Sequence, residues 1–149
     1  MSTRLTIALI VFACCATHAH AAAKFSTVHI TSTVDHKPQP ALYWSPPVAD
    51  DKAVPLLVVL HTWSGGYDQK GFGDACLVEC ETRDWAIVQP HFRGPNRRPE
   101  ACGSDLAVQD VIDAVNYAKA NVKIDPARIY LVGTSGGGHM AMLMAGRHR

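Results

Sequence analysis

The part of this sequence most ready to do chemistry is a serine between alternating glycines, Gly133-Thr134-Ser135-Gly136-Gly137. Four apolar residues, Ile129-Tyr130-Leu131-Val132, precede it, and Met140, Leu143 and Met144 follow at helical spacing. Strand, sharp turn and helix are the layout of a nucleophile elbow, in which a strained turn lifts a serine hydroxyl off the end of a parallel sheet. The glycines have a steric reason, because beside a strained serine backbone a Cβ on either neighbour collides with the adjoining strand or helix. The chemistry predicted is nucleophilic acyl transfer, with Ser135 as the nucleophile. The plainer alternative is an idle serine in a glycine-rich turn, and the strand before and helix after it argue against that.

The remaining candidate groups are histidines, a tryptophan and cysteines. His61 precedes the serine and closes an apolar strand, so it reads as a structural histidine bonded to its own loop. Trp63 reads as a wall of the substrate cleft or as packed core. His139 falls one turn into the helix after the serine, where it is expected to point back toward the sheet, and His148 lies in the tail. Of the cysteines, Cys76 and Cys80 share one helix face, so a disulfide from Cys102 to Cys76 or Cys80 is the expected pairing. Nothing here has the paired spacing of a zinc site, and no metal or cofactor is expected.

These residues need elements to place them. Phe25–Ile30 and Ala41–Trp44 read as strands around the polar turn Asp35-His36-Lys37-Pro38. Pro55–Leu60 is a continuous apolar run, as in strands buried on both faces of a helix-covered parallel sheet. Phe72–Asp84 reads as a helix and Trp85–Gln89 as a strand. A second helix is predicted after a Ser104 cap, with Val108, Val111, Ile112, Val115, Ala118 and Val122 on its apolar face and Lys119 and Lys123 in its last turn. Asp110 and Asp113 are expected on its solvent face. Asp125–Arg128 then turns the chain into the strand before Ser135. Strands alternating with helices predict a three-layer α/β fold with a mainly parallel sheet.

With these residues in view, Leu60–Gly66, the Asp105–Val115 helix, Ile124–Ile129 and Gly133–Ala141 together resemble the catalytic domain of secreted α/β-hydrolases of the prolyl oligopeptidase type, from about Leu56 onward. The resemblance implies an α/β-hydrolase fold with Ser135 as nucleophile. It also implies an oxyanion hole made by the N–H of Gly136 and one from the loop after Leu60, either Thr62 or Trp63. It places the catalytic acid and histidine later in the chain, on strands after the elbow, yet the fourteen residues after Ser135 contain no acidic one. The expectation is therefore a domain truncated after the helix that follows the elbow, inactive and poorly folded as it stands. The substrate implied is a peptide, for a serine-type peptidase. A carboxylesterase, polyester or feruloyl-type esterase is the alternative within the enzymes, and a non-catalytic binding protein the alternative outside them.

Residues 1–21 contain one charge, Arg4, then an apolar run from Leu5 to Cys15 and Ala19-His20-Ala21, which together read as a secretory signal peptide. Residues 22–149 are then the hydrolase domain, and a secreted or periplasmic location follows. The apolar run is too short to span a bilayer, so no membrane anchor is expected. Without the leader the chain holds 13 basic and 13 acidic residues. That balance leaves no electrostatic basis for binding nucleic acid. The sequence leaves the oligomeric state open.

Overall fold

The computed structural model describes residues 22–48 and 51–147. The expected leader and His148 lie outside these residues. Five strands form one mixed sheet in the order β1-β2-β4-β3-β5. β1 (Ser26–Thr31) and β2 (Pro38–Trp44) form an antiparallel hairpin, and β2 also runs antiparallel to β4 (Ala86–Pro90). β3 (Val54–Leu60) lies between β4 and β5 (Ile124–Gly133) and is parallel to both. The expected turn at Asp125–Arg128 is absorbed into β5, where the ladder with β3 skips register between Val54 and Leu56.

The apolar run of β3 serves both faces of the sheet. Leu56, Val58 and Leu60 pack with Val108, Val111, Ala114 and Ala118 of α2 (Asp105–Asn121) and with Met140 and Met144 of α3 (Gly136–Arg147). Val59 joins Leu77 and Cys80 of α1 (Phe72–Arg83) on the other face. Helices therefore cover both faces, giving three layers. Each fully buried Leu, Val or Met contributes about 1.5–3 kcal/mol of hydrophobic stabilisation. α2 begins where its sequence says, with the Ser104 hydroxyl accepting the Ala107 N–H at 3.1 Å.

Two expectations are corrected here. Asp110 and Asp113 are buried, not on the solvent face of α2. Each is held by a polar group that the β1–β2 turn or the loop after β4 brings to it, which compensates the desolvation of the carboxylate. Asp113 accepts from the N–H of Thr33 at 2.8 Å and from its hydroxyl. Asp110 grips the buried Arg93, at 2.6 Å to Nε and 3.0 Å to Nη2, and Arg93 reaches on to Asp35 and Ser32. Hydrogen bonds from Arg93 hold the Asp35 carboxyl well below the usual carboxylate range.

The second correction concerns the cysteines. Cys76, Cys80 and Cys102 are all free thiols. Cys76 and Cys80 lie on α1, on one side of the sheet, while Cys102 is exposed next to the start of α2, on the other. The sheet thus lies between Cys102 and both expected partners, and no bridge joins them. Burial also pushes the Cys80 thiol up to about 12, which removes its thiolate reactivity at neutral pH.

Arg93 links the hairpin, the β4 loop and α2. Arg93→Met leaves Asp110 buried without its cation, and such a change costs about 3–5 kcal/mol. Urea unfolding is expected to show that loss for Arg93→Met, and a smaller one for Asp35→Asn, whose partner keeps Asp110.

Candidate active site

Because Leu60 is paired with Gly133, the loops leaving β3 and β5 start side by side at one end of the sheet. The loop after β4 starts at the same end. Ser135 sits in the turn between β5 and α3, exposed, with φ of 53°. That left-handed backbone is uncommon for a residue with a side chain and belongs to the elbow geometry.

The glycines around it are required by close approach of backbone to backbone. A Cβ on Gly137 would overlap the carbonyl oxygen of Leu60 and come within 2.9 Å of that of His61. On Gly136 it would stand 2.5 Å from the Trp63 nitrogen, and on Gly133 2.5 Å from the carbonyl carbon of Gly137. The start of α3 is therefore seated directly on the β3 loop. That brings the backbone of Gly136 against the backbone of Trp63.

The β3 loop is held peptide by peptide. The Thr62 N–H donates to Gln69 Oε1 at 2.9 Å and is therefore engaged within the loop. The Trp63 carbonyl accepts from the Asn96 N–H at 2.7 Å, while the Trp63 N–H has no acceptor among the described residues. Of the two sequence candidates, Trp63 is the one the structure leaves free. Trp63 is 42% exposed, which places it on the surface beside Ser135 and not in the core.

His61 is buried, with Nδ1 2.8 Å from the Thr62 carbonyl and Nε2 2.8 Å from the His91 carbonyl, and its ring stacks on Phe92. Both nitrogens face backbone, as its structural reading requires. The ring of His139 is exposed and stands edge-on to Trp63, with centroids 6.4 Å apart, where the sequence reading had it turned back toward the sheet. No histidine ring among the described residues hydrogen-bonds Ser135. Among the same residues there is no cluster of three or more metal-ligating side chains, and no helix is long and apolar enough to cross a membrane.

Gln69, Asn96 and Arg93 were not legible as site residues. They sit in loops without periodicity, and their partners, backbone groups of the β3 loop for Gln69 and Asn96 and the side chains of Asp35, Asp110 and Ser32 for Arg93, are ones that only the fold brings near. Gln89, fully buried on β4, donates to the carbonyls of Tyr67 and Gln69 and ties the loop down from below. A small cavity of about 60 Å³ lies there, lined by His61, Thr62, Gln69, Gln89 and Thr134 among others.

Residues 42–149 match the model of the BD-FAE family. No curated protein matches the chain. Among solved structures, it is similar to an acylaminoacyl peptidase of Pyrococcus horikoshii, with a TM-score of 0.67, 18% identity, and coverage of 85% of this chain and 22% of that one. A ferulic acid esterase of the anaerobic fungus Anaeromyces mucronatus gives a TM-score of 0.67 at 18% identity, over 82% of this chain and 53% of that one. A thermostable esterase gives 0.65 at 20% identity, over 80% and 36%. The chain therefore spans about a fifth to a half of the length of these structures. The fold they share with it is that of the α/β-hydrolases.

Two outcomes test this geometry. Gly137→Ala is expected to lose on the order of 3 kcal/mol in urea unfolding, because the clash is with rigid backbone. Gly146→Ala, where a Cβ meets nothing within 4 Å, is expected to gain up to about 1 kcal/mol. The second concerns His91, whose Nδ1 accepts the Tyr67 N–H at 3.4 Å. Burial, and then the neighbouring His61, lower its pKa from the ordinary 6.5. The unfolded chain therefore binds the proton more readily, so stability is full above pH 6.5 and falls as the pH drops below it. A series of urea midpoints from pH 7.5 to 5 is expected to decline, with a shallower decline in His91→Gln.

Proposed function

This chain belongs to the BD-FAE family, and on that footing we propose that it is the nucleophile-bearing part of a serine hydrolase that cleaves acyl esters. The single observation that carries the reading is Ser135, exposed in a left-handed turn directly above the contact between Gly136 and Trp63. In this mechanism Ser135 Oγ attacks the acyl carbonyl carbon and its proton passes to a general base. The carbonyl oxygen becomes an oxyanion facing the N–H groups of Trp63 and Gly136. Collapse expels the protonated leaving group and leaves an acyl-serine, which water hydrolyses to the acid and free serine. Metal and cofactor play no part in the proposed steps.

The base and the carboxylate that orients it are assigned to residues outside those described, in keeping with the order nucleophile, acid, histidine of this fold. Without them the hydroxyl stays protonated, and loss of the base in a comparable enzyme costs about a millionfold in turnover. A peptidase of prolyl oligopeptidase type is the second reading, favoured by the motifs shared with that group and by the acylaminoacyl peptidase likeness. Nucleophile and hole serve both substrates equally, so ester is placed first on the family match alone. Export through residues 1–21 belongs to the same proposal.

With protein made from the full reading frame, a fluorophosphonate probe is expected to label Ser135, and Ser135→Ala is expected to remain unlabelled. Labelling at a different serine overturns the assignment. Turnover of p-nitrophenyl acetate against an acylaminoacyl anilide then ranks the two substrate classes, with the ester expected to be the faster.

A further inference from the structure

Three consecutive peptide groups of the β3 loop are each fixed by a different partner. The N–H of the peptide between His61 and Thr62 is taken by Gln69 Oε1. The carbonyl of the next, between Thr62 and Trp63, faces His61 Nδ1 at 2.8 Å. The carbonyl of the third, between Trp63 and Ser64, accepts from the Asn96 N–H. In a trans peptide the carbonyl and the N–H point in opposite directions. Fixing the Thr62 carbonyl inward on His61 therefore turns the Trp63 N–H outward, to the side where Gly136 lies.

Gln69 is the member of this set that comes from within the loop and has a replaceable side chain. Its oxygen accepts twice from Thr62, at 2.9 Å from the N–H and 3.1 Å from the hydroxyl. A Cβ on Gly65 would run into the same oxygen, so the turn is moulded around the amide. Without that acceptor, the Thr62 N–H becomes a second free donor one residue from Trp63, and the loop gains an alternative orientation. A carboxylate could accept both hydrogen bonds equally well. It would, however, bring a full negative charge to the back of a site where an oxyanion forms, and unlike the amide it would oppose the charge developing there.

We propose that Gln69 is a positioning residue of the reaction: its neutral amide oxygen takes the Thr62 N–H and thereby leaves the Trp63 N–H, aligned, for the substrate oxyanion. The proposal rests on the reading of Trp63 and Gly136 as the oxyanion hole. Removing one donor of such a hole costs about 10²–10³ in kcat, and misaligning one costs less. Gln69→Met is therefore expected to lower kcat about 10- to 100-fold, with KM within about twofold of wild type and an unchanged thermal midpoint.

The test uses the protein from its full reading frame and an activated ester as substrate, with rates normalised to sites titrated by a fluorophosphonate. A fall in kcat at constant KM supports the proposal. Wild-type kcat per titrated site overturns it, whether or not the thermal midpoint drops. Gln69→Glu keeps both contacts to Thr62 and so should fold as wild type does; a lower kcat at constant KM is expected there too, and wild-type kcat counts against the proposal. Amide exchange at Thr62 and Trp63 separates this from a failure of the hydrolase reading. Thr62 is expected to be protected in wild type and unprotected in Gln69→Met, with Trp63 exchanging fast in wild type. Equal exchange at Thr62 in both proteins overturns the proposal, even if the protein hydrolyses esters through Ser135.

Discussion

The first turn of α3 rests on the backbone of the β3 loop with no room for a methyl group between them. Gly136 faces Trp63, and Gly137 faces the carbonyls of Leu60 and His61. The architecture is consistent with this one contact at every level. It requires β3 and β5 to be parallel neighbours with their carboxyl ends level, which the Leu60–Gly133 pairing provides. Parallel neighbours in turn need a crossover, and α2 lies within the segment that connects β4 to β5. The apolar residues of α2 and α3 are thus the cover that keeps the two loops in register, beyond their contribution to the core.

Contact alone would leave the β3 loop free to rotate its peptide groups, and here the Arg93 cluster matters. Its guanidinium joins α2 through Asp110 and the hairpin turn through Asp35 and Ser32. The same residue belongs to the loop that touches the β3 loop through the His91 carbonyl, the Phe92 ring and the Asn96 N–H. A buried ion pair is a weak source of net stability, because desolvation offsets the Coulomb gain. What this one supplies is geometry: two carboxylates fix the guanidinium in a plane, and the backbone carrying it is fixed too. Phe92, Arg93 and Gly94 all have positive φ in that stretch, which a loosely held loop would relax.

The sequence revealed those parts of the site whose physics is local. The apolar run before Ser135, the helical spacing after it and the flanking glycines are steric requirements written within thirteen residues, Ile129 to Ala141. The Ser104 cap and the double-sided burial of β3 were legible for the same reason. Where the partner is distant in sequence, the reading failed. Asp110 and Asp113 looked like a polar helix face, because their partners Arg93 and Thr33 are 17 and 80 residues away. Cys102 looked like a partner for α1, because spacing says nothing about which side of a sheet a residue ends on. That the Thr62 N–H is engaged and the Trp63 N–H has no acceptor among the described residues was likewise out of reach, since it depends on Gln69 and Asn96 curling back onto the loop.

The charges in this end of the molecule are sorted by depth. Two cations, Arg93 and Lys37, offset the two carboxylates Asp35 and Asp110 behind the β4 loop, and the hydrogen bonds from Arg93 keep the Asp35 carboxyl ionised. Nearer to Ser135, the β3 loop is held by the Gln69 amide, by the backbone N–H of Asn96 and, at the Ser64 hydroxyl, by the Arg97 guanidinium, while burial favours the neutral form of His91. Peptide dipoles held in this way are already aligned when the fold forms, so under the proposed mechanism they need no reorganisation as a substrate oxygen gains charge. The peptide groups on either side of the Thr62–Trp63 pair thus owe their orientation to an amide oxygen and a backbone N–H, and the buried Arg93 cluster fixes the neighbouring loop from which that N–H comes.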